Sequence, residues 1–159
     1  MRRDMADTPT SAASPAGQAM TVMRAADRAY LATSQRGWPF ASLVLAALDA
    51  DGTPMLLISD LSEHAKNIAG ESRVSLLFDG TAGLADPLTG PRVTVLGHAK
   101  QSDAAERLRR FLARHPAAEL YAGFKDFHLY RVEVARAHLV AGFGRIHWID
   151  APDLFAAAQ

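Results

Sequence analysis

The chain alternates between two hydrophobic periods, and each change of period marks an element. Met20, Met23, Ala26 and Tyr30 recur at helical spacing and predict a first helix over 18–29. The period then falls to two, predicting a strand over 30–34, with Gln35-Arg36-Gly37 as its turn. Residues 38–48 are apolar on both alternating faces: Phe40, Val44 and Leu48 on one, Leu43, Leu45 and Ala47 on the other. A strand of that kind belongs in a barrel or at a subunit interface. Asp49-Ala50-Asp51-Gly52 reads as a hairpin leading into a strand over 54–59, whose Met55, Leu56, Leu57 and Ile58 form a run typical of a buried strand.

A short helix over 62–69 follows, with Leu61, Ala65 and Ile68 on one stripe and Glu63, Lys66 and Asn67 facing away. A strand over 73–78 precedes a loop rich in Gly, Pro and Asp over 79–91. In the strand over 92–100, Val93, Val95 and Gly97 alternate with Thr94, Leu96 and His98. Ser102 reads as the N-cap of a helix that buries Ala105, Leu108, Phe111 and Leu112 and exposes Glu106, Arg107, Arg109 and Arg110. A helical turn over 116–122 and strands over 127–134, 137–142 and 145–150 complete the pattern. Six or seven short strands and about three helices predict a mainly β fold with α, a small antiparallel barrel with helices packed outside it.

Composition narrows the function classes. Lys plus Arg and Asp plus Glu number 17 each, so the basic excess expected of a nucleic-acid or membrane-surface protein is missing. There is no apolar run near the length of a membrane span and no secretory signal, so a cytoplasmic protein is the expectation. With no cysteine, disulfides, thiolate metal sites and cysteine nucleophiles are excluded. The composition of residues 1–18 reads as a disordered tail, 19–150 as one domain and 151–159 as a second tail.

Candidate chemistry centres on Ser59-Asp60-Leu61-Ser62, where a buried strand delivers hydroxyls to the start of a helix carrying His64, Lys66 and Asn67. Free amides and the helix dipole favour an anion there, which points to a phosphorylated small molecule. The same residues also read as an ordinary capped helix with a solvated polar face. Arg92 is either a second phosphate-binding charge or a strand-edge arginine reaching solvent. None of the six histidines stands at metal-ligand spacing, and no GxSxG elbow is present. Gly142-Phe143-Gly144 lacks the third glycine of a dinucleotide motif and reads as a turn or bulge. Trp148 is either a core aromatic or a ring set against a planar ligand.

Taken in order, Leu31-Ala32-Thr33, Gly37-Trp38-Pro39-Phe40-Ala41-Ser42, the 59–67 segment, Arg73-Val74-Ser75-Leu76-Leu77-Phe78, Asp86-Pro87-Leu88, Arg92-Val93-Thr94-Val95-Leu96-Gly97, His115-Pro116, Tyr121, Asp126-Phe127 and Gly142-Phe143-Gly144 carry a resemblance. The chain resembles the pyridoxamine 5′-phosphate oxidase-related FMN-binding proteins over roughly 20–150, and within them the HugZ-type haem-utilisation branch. The resemblance implies a split β-barrel that forms a homodimer, with FMN in two interface clefts. It implies that Ser59, His64, Lys66 and Asn67 lie on the phosphate side and that Arg92 opens a later barrel strand. Ala41 and Ser42 would border the flavin, and Trp148 would come from the second subunit.

The oxidase proper carries further basic residues towards its C-terminus, a pattern not found in 148–159, so pyridoxamine phosphate is not the expected substrate. The haem-degrading relatives usually carry an additional C-terminal domain. The resulting expectation is an FMN-dependent oxidoreductase acting on a small molecule. The alternatives are a haem-binding or haem-degrading protein, with His64 or His147 as a guess at the iron ligand, and a dimeric binding module without turnover.

Overall fold

A computed structural model of the protein describes residues 13–159, so most of the stretch read as an N-terminal tail lies outside the described residues. The first helix, α1 (Pro15–Ala25), begins earlier than its apolar spacing indicates because Ser14 caps it and Pro15 takes the first turn. It also ends before Tyr30. Ala29 and Leu31 are fully buried while Tyr30 points out, so strand period wins from β1 (Arg28–Gln35) onward.

The chain continues through β2 (Trp38–Leu45), β3 (Ala47–Leu48), β4 (Pro54–Ser59), α2 (Glu63–Gly70), β5 (Arg73–Asp79) and β6 (Arg92–Gln101). Next come α3 (Ala105–Arg114), a single 3-10 turn leading into α4 (Glu119–Ala122), β7 (Phe127–Gly142), β8 (Arg145–Asp150) and α5 (Ala151–Ala156). All strand pairs are antiparallel, in the order β2-β1-β5-β6-β7-β4-β3, with β8 also on β7.

The two strands expected over 127–134 and 137–142 are one strand. One edge of β7 pairs with β6 throughout, while the other pairs first with β4 and then with β8. The sheet therefore splits along β7. A register shift falls in the gap between the two expected strands, where Leu96 faces Arg136 and Gly97 faces Val134. Gly97 is required there: a Cβ on it would stand 2.3 Å from the Glu133 carbonyl oxygen.

The main core lies between one sheet face and α1 and α5. Met20, Met23, Leu31, Leu76, Phe78, Val93, Val95, Leu139 and Leu154 meet there. Residues 151–159, read as a tail, thus contribute a helix whose Leu154 is fully buried, and Arg24 donates to the Ala158 carbonyl oxygen at 2.6 Å. A second cluster of Met55, Phe111, Ala118 and Leu129 packs α3 on the other side of β4.

The strand buried on both faces is consequently β4, with Leu56 in one cluster and Met55 in the other. β2, expected to be buried on both faces, is an edge strand whose Leu43 and Leu45 are exposed. Ser102 does not cap α3. Its hydroxyl accepts from Arg107, and Ala104 takes the cap position without a side-chain bond.

Candidate functional site: a groove between the first hairpin and α2

β1 and β2 meet in a two-residue turn, with Gln35 opposite Trp38 as the closing pair. Both turn residues have positive φ, 51° for Arg36 and 86° for Gly37, the hairpin turn that matches strand twist. Arginine adopts that conformation at a cost, glycine freely. The turn projects Arg36 and Trp38 towards α2, leaving Trp38 76% exposed.

α2 holds its position through its N-cap, Ser62, whose Oγ accepts the Ala65 amide, and through one buried hydrogen bond. Asn67 is 8% exposed and its amide donates to Thr33 Oγ1 at 3.0 Å. Asn67 therefore faces β1 and not solvent, whereas Leu61, expected on the buried stripe, is exposed in the turn ahead of the helix. Between hairpin and helix runs an open groove of about 900 Å³, with Arg36 and Trp38 on one wall and Glu63, Lys66 and Glu71 on the other. It continues onto the sheet, where Ala32, Arg73, Ser75 and Leu96 line a further 390 Å³ depression.

The electrostatics of this groove are mixed. Glu63 accepts from both Lys66 and Gln35 at 3.3 Å, so the lysine charge is already partnered. His64, the residue after Glu63, does not line the groove; it is half-buried on α2, and burial holds its imidazole below the usual histidine range, which keeps it neutral at pH 7.

The residues expected on the phosphate side do not converge within one protomer. Lys66 and Asn67 line the groove. Ser59 sits at the end of β4, its hydroxyl donating to Asp126 Oδ2 at 2.5 Å while accepting the Leu61 amide. Arg92 donates to the Leu88 and Gly90 carbonyl oxygens and ties down the loop before β6. From Leu96, at the groove's extension, Arg92 lies four residues along the strand, about 13 Å. Ala41 and Ser42 are on β2, opposite Ala32 and Leu31, and point to opposite faces.

Trp148 lies across the sheet. The register aligns Leu43, Tyr30, Leu77, Thr94, His138 and Trp148 as successive neighbours on the outer face. Four strand spacings separate Tyr30 from Trp148, about 19 Å. The Arg136 guanidinium stacks 3.8 Å above the indole, and the His138 ring is 4.6 Å away. Trp148 is 54% exposed, so it belongs to an outer surface and not to the core. His147, on the same strand, is exposed as well.

Several groove residues escaped the sequence reading. Gln35 and Arg36 were legible as a turn, but Trp38 and Glu71 become groove walls only once α2 lies beside the hairpin. Thr33 carries no sequence signal for its bond to Asn67.

A sheet split along one long strand, with a hairpin groove and an exposed outer face, defines the split β-barrel class of the pyridoxamine 5′-phosphate oxidase-like proteins, with haem-binding proteins among its structural neighbours. The chain belongs to the CREG β-barrel family, whose sequence model matches residues 9–156. It is 35% identical over 135 residues to the non-canonical heme oxygenase HOZ, chloroplastic, of Arabidopsis thaliana, covering 81% of this chain and 41% of that protein. It superposes on a heme binding protein from Mycobacterium smegmatis with a TM-score of 0.85 at 30% identity, covering 92% of this chain and 62% of that one. The chain thus spans well under half of the curated relative and less than two thirds of the mycobacterial protein. A putative pyridoxamine 5′-phosphate oxidase from Listeria innocua shares the fold alone, with a TM-score of 0.60 at 13% identity over 76% of this chain and 94% of that one. Among the described residues, no helix is long and apolar enough to cross a membrane.

Proposed function

We propose that the protein binds haem in the groove between the β1–β2 hairpin and α2, as a haem-handling member of the split-barrel family that pairs with a second copy through its outer sheet face. The observation that carries this reading is the groove itself. It is wide and open, pairs an exposed indole with scattered cations, and runs out onto a sheet. A porphyrin asks for that combination: apolar area for a large planar ring and separate cations for two propionates, here Arg36, with Lys66 and Arg73 available by exchanging their Glu63 and Glu71 partners for a propionate. A phosphate dianion instead asks for several donors at one point. His64, half-buried on α2 next to Glu63 of the groove wall but not itself lining the groove, is the candidate iron ligand and would reach the ring by turning towards it, since only the unprotonated imidazole can ligate. Two relatives at 30% identity or above carry haem in their names, which supports the same reading.

Flavin is the second reading, favoured by Lys66 and Asn67 lying together on the groove wall. In that case the chain is an FMN-dependent oxidoreductase, and Arg92 and Trp148 act from the second copy. The protein would orient the flavin and the flavin would supply the redox chemistry.

Absorption titration separates the two. Adding haemin to the purified protein should give a saturable Soret shift, and His64→Ala should weaken it. Adding FMN should leave the flavin spectrum that of the free cofactor. The reverse pattern would establish the flavin reading, and no change with either would leave a binding module without a redox group.

A further inference from the structure

At the end of β4, on the sheet face that Ile58 and Tyr130 share, one imidazole joins three separate parts of the chain. His128, near the start of β7, directs Nε2 at Asp60 Oδ2 at 3.1 Å and Nδ1 at Asp103 Oδ2 at 3.1 Å. Asp60 begins the turn into α2, and Asp103 lies in the middle of the link between β6 and α3. The ring is about a quarter exposed, so its protons exchange freely with water.

An imidazole can donate from both nitrogens only when it is protonated. The neutral ring has one N–H and must present a lone pair to one of the two carboxylates. The position of Gln101 decides which. Its Nε2 stands 3.0 Å from His128 Nδ1 and also donates to Asp103 Oδ2 at 2.5 Å. When the ring is neutral, the Gln101 amide donates to a bare Nδ1, so the remaining proton stays on Nε2, facing Asp60. The bond to Asp103 is the one given up.

Asp103 leads into an uncapped helix. Ala104, the N-cap of α3, makes no side-chain hydrogen bond. Asp103 instead straps this end of α3 to β7, taking the Leu129 amide on Oδ1 at 2.9 Å and the His128 ring on Oδ2. Beneath the strap lies a cavity of about 240 Å³, lined by Leu57, Leu108, Phe127 and Leu129 with Asp103 at its edge. The first turn of α3 forms one of its walls.

We propose that His128 is a proton-operated strap, tightening the start of α3 against β7 beside this apolar cavity when the ring carries both protons and giving up its bond to Asp103 Oδ2, while the Leu129 and Gln101 bonds to Asp103 remain, when Nδ1 loses its proton to solvent. Among the described residues, the titratable groups facing the ring are Asp60, Asp103 and, on its own strand, Tyr130; Asp126 is taken up by Ser59. Asp103, hydrogen-bonded to the ring, pushes the His128 pKa up, with smaller help from Asp60. Asp103 itself is held below the usual carboxylate range by its Gln101, Leu129 and His128 hydrogen bonds, which outweigh the opposing effect of burial. Tyr130 is pushed up, first by burial and then by the two carboxylates, so it stays neutral while His128 titrates. The strap is thus tight in acid and loosens on the alkaline side of the ordinary histidine midpoint.

The test is an NMR pH titration of the full chain, following the His128 ring and the amides of Leu108 and Leu129. The ring should titrate above the ordinary value of about 6.5, with both amides inflecting at the same midpoint. Asp103→Asn should lower that midpoint, and more than Asp60→Asn does. His128→Gln should abolish the amide inflections, while the amide of Val95, remote in the core, stays flat in every variant. A ring titrating at or below 6.5, or amides that ignore its midpoint, would overturn the strap. A larger effect of Asp60→Asn would overturn the assignment of Asp103 as the released partner.

Discussion

Asn67 shows how much one buried amide can contribute. Its hydrogen bond to Thr33 fixes the α2 groove wall on β1; removing Thr33 leaves the buried Asn67 amide unpaired, and removing Asn67 leaves the Thr33 hydroxyl only a long bond to the Phe40 carbonyl oxygen. Asn67→Ala should lose about 1–3 kcal/mol in urea unfolding, and Thr33→Val a comparable amount. The double variant should lose less than the sum of the two. Two histidines give the stability opposite pH dependences. His128 has a raised pKa, so its contribution is complete below about 6.5 and is lost as pH rises through its own higher value. His64 has a lowered pKa because of burial, so its penalty is complete below that lower value and vanishes above about 6.5. Thermal unfolding across pH 5–9 should therefore lose its high-pH decline in His128→Gln and its low-pH decline in His64→Leu.

Among the elements, α3 is held by charge as well as by its apolar face. Only Phe111 on that face is fully buried. Arg107 and Arg110, which the helical period assigns to solvent, turn to Asp49 at 3.0 and 2.5 Å, and Arg131 of β7 approaches the same carboxylate at 3.2 Å. The Asp49 side chain is 8% exposed, and removing it leaves Arg107, Arg110 and Arg131 with only Ser102, Glu106 and Asp51 as partners. Asp49→Ala should destabilise by about 1–3 kcal/mol by denaturant unfolding. β7 depends on Gly97 in the opposing strand. Gly97→Ala drives a methyl into the Glu133 carbonyl and should cost at least about 1–3 kcal/mol, read as a lowered unfolding midpoint.

At the scale of the molecule, the outer sheet face is the feature a single copy leaves unfinished. Tyr30, Leu43, Leu45, Leu77, Ile146 and Trp148 stand exposed on one side of a sheet that ends in the uncovered edge of β2. Pairing with a second copy would cover them. Leu43→Glu should then convert the protein to monomer in analytical ultracentrifugation, and a wild type that sediments as a monomer would remove the pairing from the proposal.

The one-dimensional pattern was enough to determine most of the elements. β4 starts and stops where the apolar run does, β6 alternates as its valines and Gly97 indicate, and the Arg36-Gly37 and Asp49–Gly52 turns close their hairpins. These are local properties, set by side-chain period and by backbone freedom within a few residues. The tertiary structure decided the rest. Within one protomer it made β4 rather than β2 the doubly buried strand, because helices cover both faces of β4 and no helix covers the outer face of β2. It turned Asn67 inward and sent Ser59 and Arg92 to partners away from the groove, so the expected phosphate cluster is dispersed within one protomer. It also brought Asp60 and Asp103 to the two nitrogens of His128, 68 and 25 positions away in sequence. Such contacts depend on how the sheet folds back on itself, and the local period carries no information about that.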